Sequence, residues 1–369
     1  MVNVKSHFSW IRKTLRSLKR RFATSHPNHD YHHFHRDFKQ NEKTRLQNFS
    51  KGKHQFLPMR GYNHDGKIEP MWSFLDSFLI KLLFRHIKPT FKHLISKHCY
   101  HLQGPSSIPA ITRHIQQALE HHAFRYVIRI DIKSYYASID REILSEQVQQ
   151  TFDDPLVKKY LDDIIHNTID RGGWIETPGK GIPRRSSLSS FFAALYLKSL
   201  DQAFEEKTGV LYIRYNDDVL ILCETKRQFV KAKQTLRCVL TSLKLQLSPT
   251  KTRMGKLHQG FHFLGVDYQV ARTPESGQCS ATTVNVKLHP RCCYRAIDRL
   301  ISKRAGAGSP AEAQLYLKRW SRWWSNVHPQ IHYTANLKAW VDLSMHVRGA
   351  WTARFGIEIL FNVYSSISL

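Results

Sequence analysis

Acidic residues are scarce in this chain. Its 369 residues include 56 Lys and Arg against 29 Asp and Glu, a formal net charge of +27. A surplus of that size repels itself and attracts polyanions, so nucleic acid is the leading partner and a membrane surface the weaker alternative. Long apolar runs are missing too. No stretch approaches the roughly 20 apolar residues that a spanning helix requires, and the best, residues 74–84, is broken by Asp76 and Lys81. The six cysteines form no Cys-x-x-Cys pair. That excludes a zinc ribbon and a secreted disulfide framework by spacing, and it points to a reduced, cytoplasmic setting. The 22 histidines are scattered, with clusters such as His32-His33 and His121-His122, and none has the spacing of a closed metal site. No secretory signal is expected. Residues 1–29 contain no Asp or Glu, which loosely resembles an organellar transit peptide. Phe8, Ile11, Leu15, Leu18 and Phe22 nonetheless fall on one face of a basic helix, so a docked or RNA-contacting helix explains the segment equally well.

What is present divides the chain. With 41% hydrophobic content it can bury one large core or two to three subdomains. Residues 1–54 read as a basic, His-rich extension with little periodic structure after the first helix. Residues 71–94 and 111–122 read as helices, separated by a Gly/Pro/Ser break. Residues 126–132 form a short β-rich run ending at Asp131, and Asp140 can cap a helix that contains Ile143, Leu144 and Val148. A glycine-rich connection over 172–183 leads to a helix over 188–204, a hairpin, an amphipathic helix over 226–243 and a short strand pair over 261–268. That order suits an antiparallel sheet with helices on one face, a split βαβ arrangement. Beyond about residue 284 the chain turns basic and helical, with Trp320, Trp323 and Trp324 close together. Those rings suit either base stacking or core packing.

The hairpin carries the chemistry. Tyr215-Asn216-Asp217-Asp218 lies between two apolar β-like runs. Asn and Asp favour turns, but adjacent carboxylates at a hairpin tip form an acceptor-only site that a cation must neutralise. Hard divalent ions prefer such oxygens. Asp131 ends another predicted strand, and central strands of one sheet would bring it beside Asp217 and Asp218. Three carboxylates could then hold two ions about 3.5–4 Å apart for phosphoryl transfer.

Taken in order, these segments resemble the bacterial reverse transcriptases, the group that includes group II intron and retron enzymes. Residues 124–139 are similar to the strand bearing the first metal-binding aspartate. Gly181-Ile182-Pro183, Ser187-Leu188-Ser189 and residues 195–201 resemble the next block, a template- and nucleotide-contacting loop and helix. Tyr215 to Asp218 matches the Tyr-x-Asp-Asp box. Residues 245–252 resemble the segment that supplies a lysine near the triphosphate, residues 261–268 the primer-grip turn, and residues 316–324 the thumb helix.

The resemblance implies an α+β right-hand polymerase: fingers, a palm built on an antiparallel sheet with helices on one face, and a helical thumb. Its expected divisions are the extension 1–54, fingers and palm over 55–283, and thumb and tail over 284–369. Asp131, Asp217 and Asp218 become ligands for Mg²⁺, with Mn²⁺ as an alternative. Tyr136 becomes the side chain under the sugar that rejects a 2′-hydroxyl, unless it is an ordinary core tyrosine. Lys251 becomes the general acid for departing pyrophosphate, or else a solvated turn lysine. Lys67 is a weak match to a triphosphate lysine.

Two departures stand out. Arg184-Arg185 follow Pro183 where the family usually has Gln-Gly, and Lys67-Ile68-Glu69-Pro70 replaces a Lys-x-Arg-Pro pattern. Arg184 and Arg185 can restore a phosphate contact through a planar donor fork. The function so implied is a nucleotidyltransferase, an RNA-directed DNA polymerase in a bacterial retroelement or antiviral defence system. Its partners would be an RNA template, a DNA or RNA primer, deoxynucleoside triphosphates and a cognate structured RNA, with no membrane. A template-independent or protein-primed DNA polymerase is the first alternative, and a polymerase-derived RNA-binding protein the second.

Overall fold

The computed structural model describes residues 7–23, 26–64, 67–102, 107–184, 186–205, 207–272 and 282–289, with the single positions Arg291, Cys292, Arg295 and Arg319. The chain opens with helices α1 (Phe8–Phe22) and α2 (Asp30–Ser50), strands β1 (Met59–His64) and β2 (Lys67–Met71), and helices α3 (Phe74–Leu94) and α4 (Ser107–His121). Strand β3 (Tyr126–Asp131) precedes helices α5 (Tyr135–Ser138), α6 (Arg141–Thr151) and α7 (Pro155–Ile165). Short strands β4 (Ile169–Asp170) and β5 (Ile175–Glu176) lead to helices α8 (Ser189–Tyr196) and α9 (Lys198–Phe204). Strands β6 (Val210–Tyr215) and β7 (Asp218–Cys223), helix α10 (Lys226–Ser242) and strand β8 (Arg253–Lys256) follow. Strands β9 (Phe261–Phe263), β10 (Val266–Arg272) and β11 (Thr282–Leu288) come last among the described elements.

Local chemistry accounts for several boundaries. Asp140 caps α6 by accepting the Ile143 N–H, and Asp154 caps α7 just before Pro155. Thr225 and Gln228 form a reciprocal capping box at the start of α10. Helix α7 was not expected from the sequence, although Asp154 followed by a first-turn proline is a start signal.

The central sheet has the order β6-β7-β3-β8 and is antiparallel between all neighbours. Along β7, Val219, Ile221 and Cys223 enter the larger core, while Leu220 and Leu222 enter a second one. This is the period-two alternation of a strand. The larger core takes Leu236 and Leu240 of α10 with Phe192 and Leu200 from α8 and α9. The second takes Ile111, Ile115 and Leu119 of α4 with Phe263, Val266 and Tyr268 of a three-stranded sheet ordered β11-β10-β9. The expectation of helices on one face is therefore corrected, since both faces are covered. Exposing Ile213, Leu220 and Leu222 would cost about 1.5–3 kcal/mol each.

Two other expectations change. The segment after the first helix is not poor in periodic structure: α2 buries Tyr31, Phe34, Phe38, Leu46 and Phe49. Phe38 packs edge-on against Phe78 of α3, and Phe49 stacks on Tyr160 of α7 at 4.6 Å. Intervening histidines and charged residues obscure that helical period in the sequence. The single helix expected over 188–204 is two, broken at Leu197 (φ −96°, ψ 12°). The break accompanies a side-by-side fit to β6, where Phe204 stacks on Tyr212 and Asp201 meets Arg214. A further small sheet, β2-β1-β4-β5, joins residues 59–71 to residues 169–176. The thumb tryptophans lie outside the described residues. Among the described residues, no helix is long and apolar enough to cross a membrane.

Candidate active site

Register brings the aspartates together. Asp131 is the residue opposite Asp218 on the antiparallel β3–β7 pair, and Tyr215 faces Asp218 across the β6–β7 hairpin. Asn216 and Asp217 are then a two-residue loop. Asn216 adopts φ 58°, a left-handed conformation that Asn tolerates better than most side chains. Each of its polar groups has a partner. Its N–H donates to His101 Nδ1 at 3.1 Å, and its carbonyl accepts from Arg214 at 3.2 Å. Its Oδ1 accepts from the Tyr136 hydroxyl at 3.0 Å, and its Nδ2 donates to Asp217 Oδ1 at 2.8 Å. The loop is clamped rather than merely solvated.

Lys251 reaches this cluster because the segment before it runs alongside the strand exit. Lys133 N–H donates to Gln246 O, and Ser248 N–H donates to Asp131 O at 2.8 Å. The following turn sets Lys251 Nζ 3.2 Å from both carboxylate oxygens of Asp131. Arg129, two residues before Asp131 on β3, lies 3.8 Å from Asp218 Oδ1. Burial and then the neighbouring Asp217 push the Asp218 carboxyl up to about 6, against the pull of Arg129. Burial also raises Asp217, with Asp131 adding to the effect.

The Asp217 and Asp218 carboxylates suit a hard divalent cation, because a cation would relieve the burial and repulsion that raise them. Asp131, Asp217 and Asp218 are the residues that would hold it. They are not drawn tightly together here. Among the described residues, the trio whose ligand atoms all lie within 4.8 Å is His262, Asp267 and His289. Like-charge repulsion opposes closer approach of the aspartates, while Lys251 and Arg129 supply the local positive charge.

Beneath the turn lies a buried ion pair that the sequence reading missed. Arg214 and Asp201 are both almost wholly buried, and Arg214 Nε donates to Asp201 Oδ1 at 2.7 Å. Tyr212 donates to the same carboxylate at 2.7 Å, and Arg214 also reaches the Ala194 and Asn216 carbonyls. The pair therefore ties α8 and α9 to the Asn216-Asp217 turn.

His101 was missed as well, since no local signal links positions 115 residues apart. Its Nδ1 accepts from Asn216, which leaves Nε2 to donate to Ser190 O at 3.4 Å. Burial, with the Arg214 guanidinium nearby, pulls its pKa down to about 4. A folded value below the unfolded 6.5 means that the unfolded chain binds more protons in that interval. The stability His101 contributes is present above pH 6.5 and is lost as the pH falls towards 4. The denaturation midpoint should drop between pH 7 and 4.5, and His101→Gln should drop less. Equal drops in urea titrations of the two proteins would refute this assignment.

Tyr136 is half-buried next to the turn, and the Arg184 guanidinium lies over its ring at 5.8 Å. Two backbone bonds create this neighbourhood: Gly181 N–H to Ile139 O at 2.7 Å, and Ile182 N–H to Tyr136 O at 2.9 Å. Gly181 has φ 90°, and a Cβ there would crowd the Ala137 carbonyl at 3.3 Å, so any other residue would be strained. The structure thus brings Asp131, Asp217, Asp218, Lys251, Tyr136 and Arg184 to one end of the central strands β3 and β7. Arg185 and the side chain of Lys67 lie outside the described residues.

The sequence profile of the reverse transcriptase (RNA-dependent DNA polymerase) family matches residues 19–268. Protein YkfC of Escherichia coli (strain K12) is 27% identical over a stretch covering 38% of this chain and 46% of that protein. The chain thus spans less than half the length of that relative. Because the profile runs through every strand of the central sheet and both aspartate-bearing segments, the chain belongs to the reverse transcriptase (RNA-dependent DNA polymerase) family.

Proposed function

We propose that this chain is an RNA-directed DNA polymerase that adds deoxynucleotides to a 3′-hydroxyl, with Asp131, Asp217 and Asp218 holding two Mg²⁺ or Mn²⁺ ions. The observation that carries the reading is the cross-strand pairing of Asp131 with Asp218 beside a clamped Asp217. When bound, the ions supply Lewis-acid stabilisation of the attacking and leaving oxygens. The chain's own groups do the rest. Lys251, within reach of the carboxylates, donates a proton to the departing pyrophosphate. Arg184 offers a phosphate contact where the family usually has glutamine. The basic surface holds template and primer, with affinity that falls steeply with salt. In this reading residues 55–283 form fingers and palm, residues 284–369 the thumb and tail, and residues 1–54 an extension. The partners are an RNA template, a primer, deoxynucleoside triphosphates and a cognate structured RNA, in a retroelement or an antiviral system.

The test supplies a defined RNA, a primer and all four deoxynucleotides, then sequences the product. Product complementary to the RNA is expected. Random or homopolymeric product, made equally well without RNA, would favour an untemplated polymerase. Binding without any synthesis would favour an RNA-binding protein.

Tyr136 gives a second expected outcome. Held by Asn216 beside the catalytic turn, its ring is suited to crowd the 2′ position of an incoming sugar. Tyr136→Ala should raise ribonucleotide incorporation relative to deoxynucleotide by about tenfold or more, since a lost contact worth 1.4 kcal/mol already changes a rate ratio tenfold. Competition assays with paired nucleotides measure it. Unchanged discrimination in a folded variant would assign Tyr136 to packing alone.

A further inference from the structure

We propose that His262, Asp267 and His289 form a zinc site, with water as fourth ligand, that clips the exit of β11 onto the β9–β10 hairpin. The inference does not depend on the polymerase reading.

Strand register builds the site. Phe263 pairs with Val266, so Leu264 and Gly265 are a two-residue loop with φ 49° and 86°. Two positive φ values define the tight hairpin turn that matches strand twist. The next pair beyond it is His262 opposite Asp267. Cross-strand partners of this kind place side chains on the same face. The third residue follows the end of β11, where His289 N–H donates to Gly265 O at 2.9 Å. Each of three neighbouring strands thus contributes a ligand, one of them from just past its end.

The distances fit a metal. His262 Nδ1 lies 3.1 Å from Asp267 Oδ1, and His289 Nδ1 lies 3.0 Å from Asp267 Oδ2. All three ligand atoms fall within 4.8 Å of one another. Tetrahedral zinc with bonds of about 2.0–2.1 Å needs ligand atoms about 3.3 Å apart, so modest adjustment admits the ion. All three side chains keep partial access to solvent, which leaves a fourth position for water. Two imidazoles and one carboxylate favour zinc over Mg²⁺, which prefers an all-oxygen octahedron. Cys292 is nearby, but its thiol donates to Gly265 O at 3.7 Å and is outside the trio.

The rival arrangement is a metal-free His–Asp–His hydrogen-bonded triad, in which both Nδ1 atoms carry protons. The experiment titrates the EDTA-stripped full chain with Zn²⁺ against a chromogenic chelator. It compares His262→Gln, His289→Gln and the double variant Asp217→Asn/Asp218→Asn. The parent and the double aspartate variant should each bind one equivalent. Each histidine variant should lose more than the roughly 10–100-fold that outer-shell changes cost. Zn²⁺ should raise the melting temperature of the parent, and Co²⁺ should give it a tetrahedral absorption spectrum. Neither effect should survive in histidine variants that circular dichroism shows to be folded. If the histidine variants fail to fold, the zinc-dependent melting shift and Co²⁺ spectrum of the parent decide. No zinc uptake by the parent, an octahedral Co²⁺ spectrum, or uptake lost only with the aspartates would overturn the site.

Discussion

Asp217→Ala or Asp218→Ala should lower nucleotide addition on the order of a thousandfold or more, because removing a cation ligand forfeits several kcal/mol of transition-state stabilisation. Asp131→Asn should do the same. Folding and nucleic-acid binding should survive, since a net charge of +27 is barely altered by one residue. Stability offers an independent check. Asp218 is raised to about 6 in the fold against an ordinary 3.8, so its ionised form is disfavoured there. The stability it contributes is present below pH 3.8 and is lost as the pH rises through 6. Asp218→Asn should therefore melt at the same temperature or higher at pH 7.5 in metal-free buffer. Primer extension and thermal melting test both statements. Normal synthesis by the alanine variants would remove the aspartates from the chemistry, and a large drop in melting temperature would make them structural.

Arg214→Met should destabilise the chain by about 3–5 kcal/mol, the usual cost of breaking a buried ion pair from one side. Asp201 would be left buried and charged, with Tyr212 as its remaining side-chain donor. Arg214 is also a donor to the Asn216 carbonyl, so activity should fall even below the temperature at which the variant unfolds. Replacing both partners, as in Arg214→Met with Asp201→Leu, should recover much of the stability by removing the stranded charge. It should not recover the activity, because the turn has lost the Arg214 donor to the Asn216 carbonyl. Denaturant titration gives the first result and primer extension the second. A single variant as stable as the parent would mean that the pair contributes little. A double variant with full activity would show that the turn holds itself.

The aspartate-bearing segments were legible because they are locally encoded. Asp217 and Asp218 lie at a hairpin whose flanking runs are apolar enough to be strands, and Asp131 ends a run of the same kind. The cap at Asp140 and the amphipathic face of α10 were readable for the same reason, since both depend on neighbours within one or two helical turns. Helix α2 was lost because histidine and charged residues blur its period, although Tyr31, Phe34 and Phe38 keep the steps of a buried face. The break at Leu197 had no local signal. It accompanies the packing of Phe204 on Tyr212 and of Asp201 on Arg214, which residue order alone does not reveal.

By itself the sequence determined the strand-ending aspartates, the basic character that favours polyanions, and the order of segments that marks the family. Those properties reside in single residues and short windows. Tertiary structure decided which distant groups meet them. The β3–β7 register pairs Asp131 with Asp218, and the strand-like passage of residues 246–248 delivers Lys251 to the same end of those strands. His101 comes from before α4 to hold the turn, and Asp201 comes from α9 to neutralise Arg214 beneath it. Cross-strand register likewise sets His262 opposite Asp267, and the bond from His289 N–H to Gly265 O brings the second histidine to the same carboxylate. Most of these meetings join positions far apart in the sequence, and strand register and packing, which no short window encodes, bring them together.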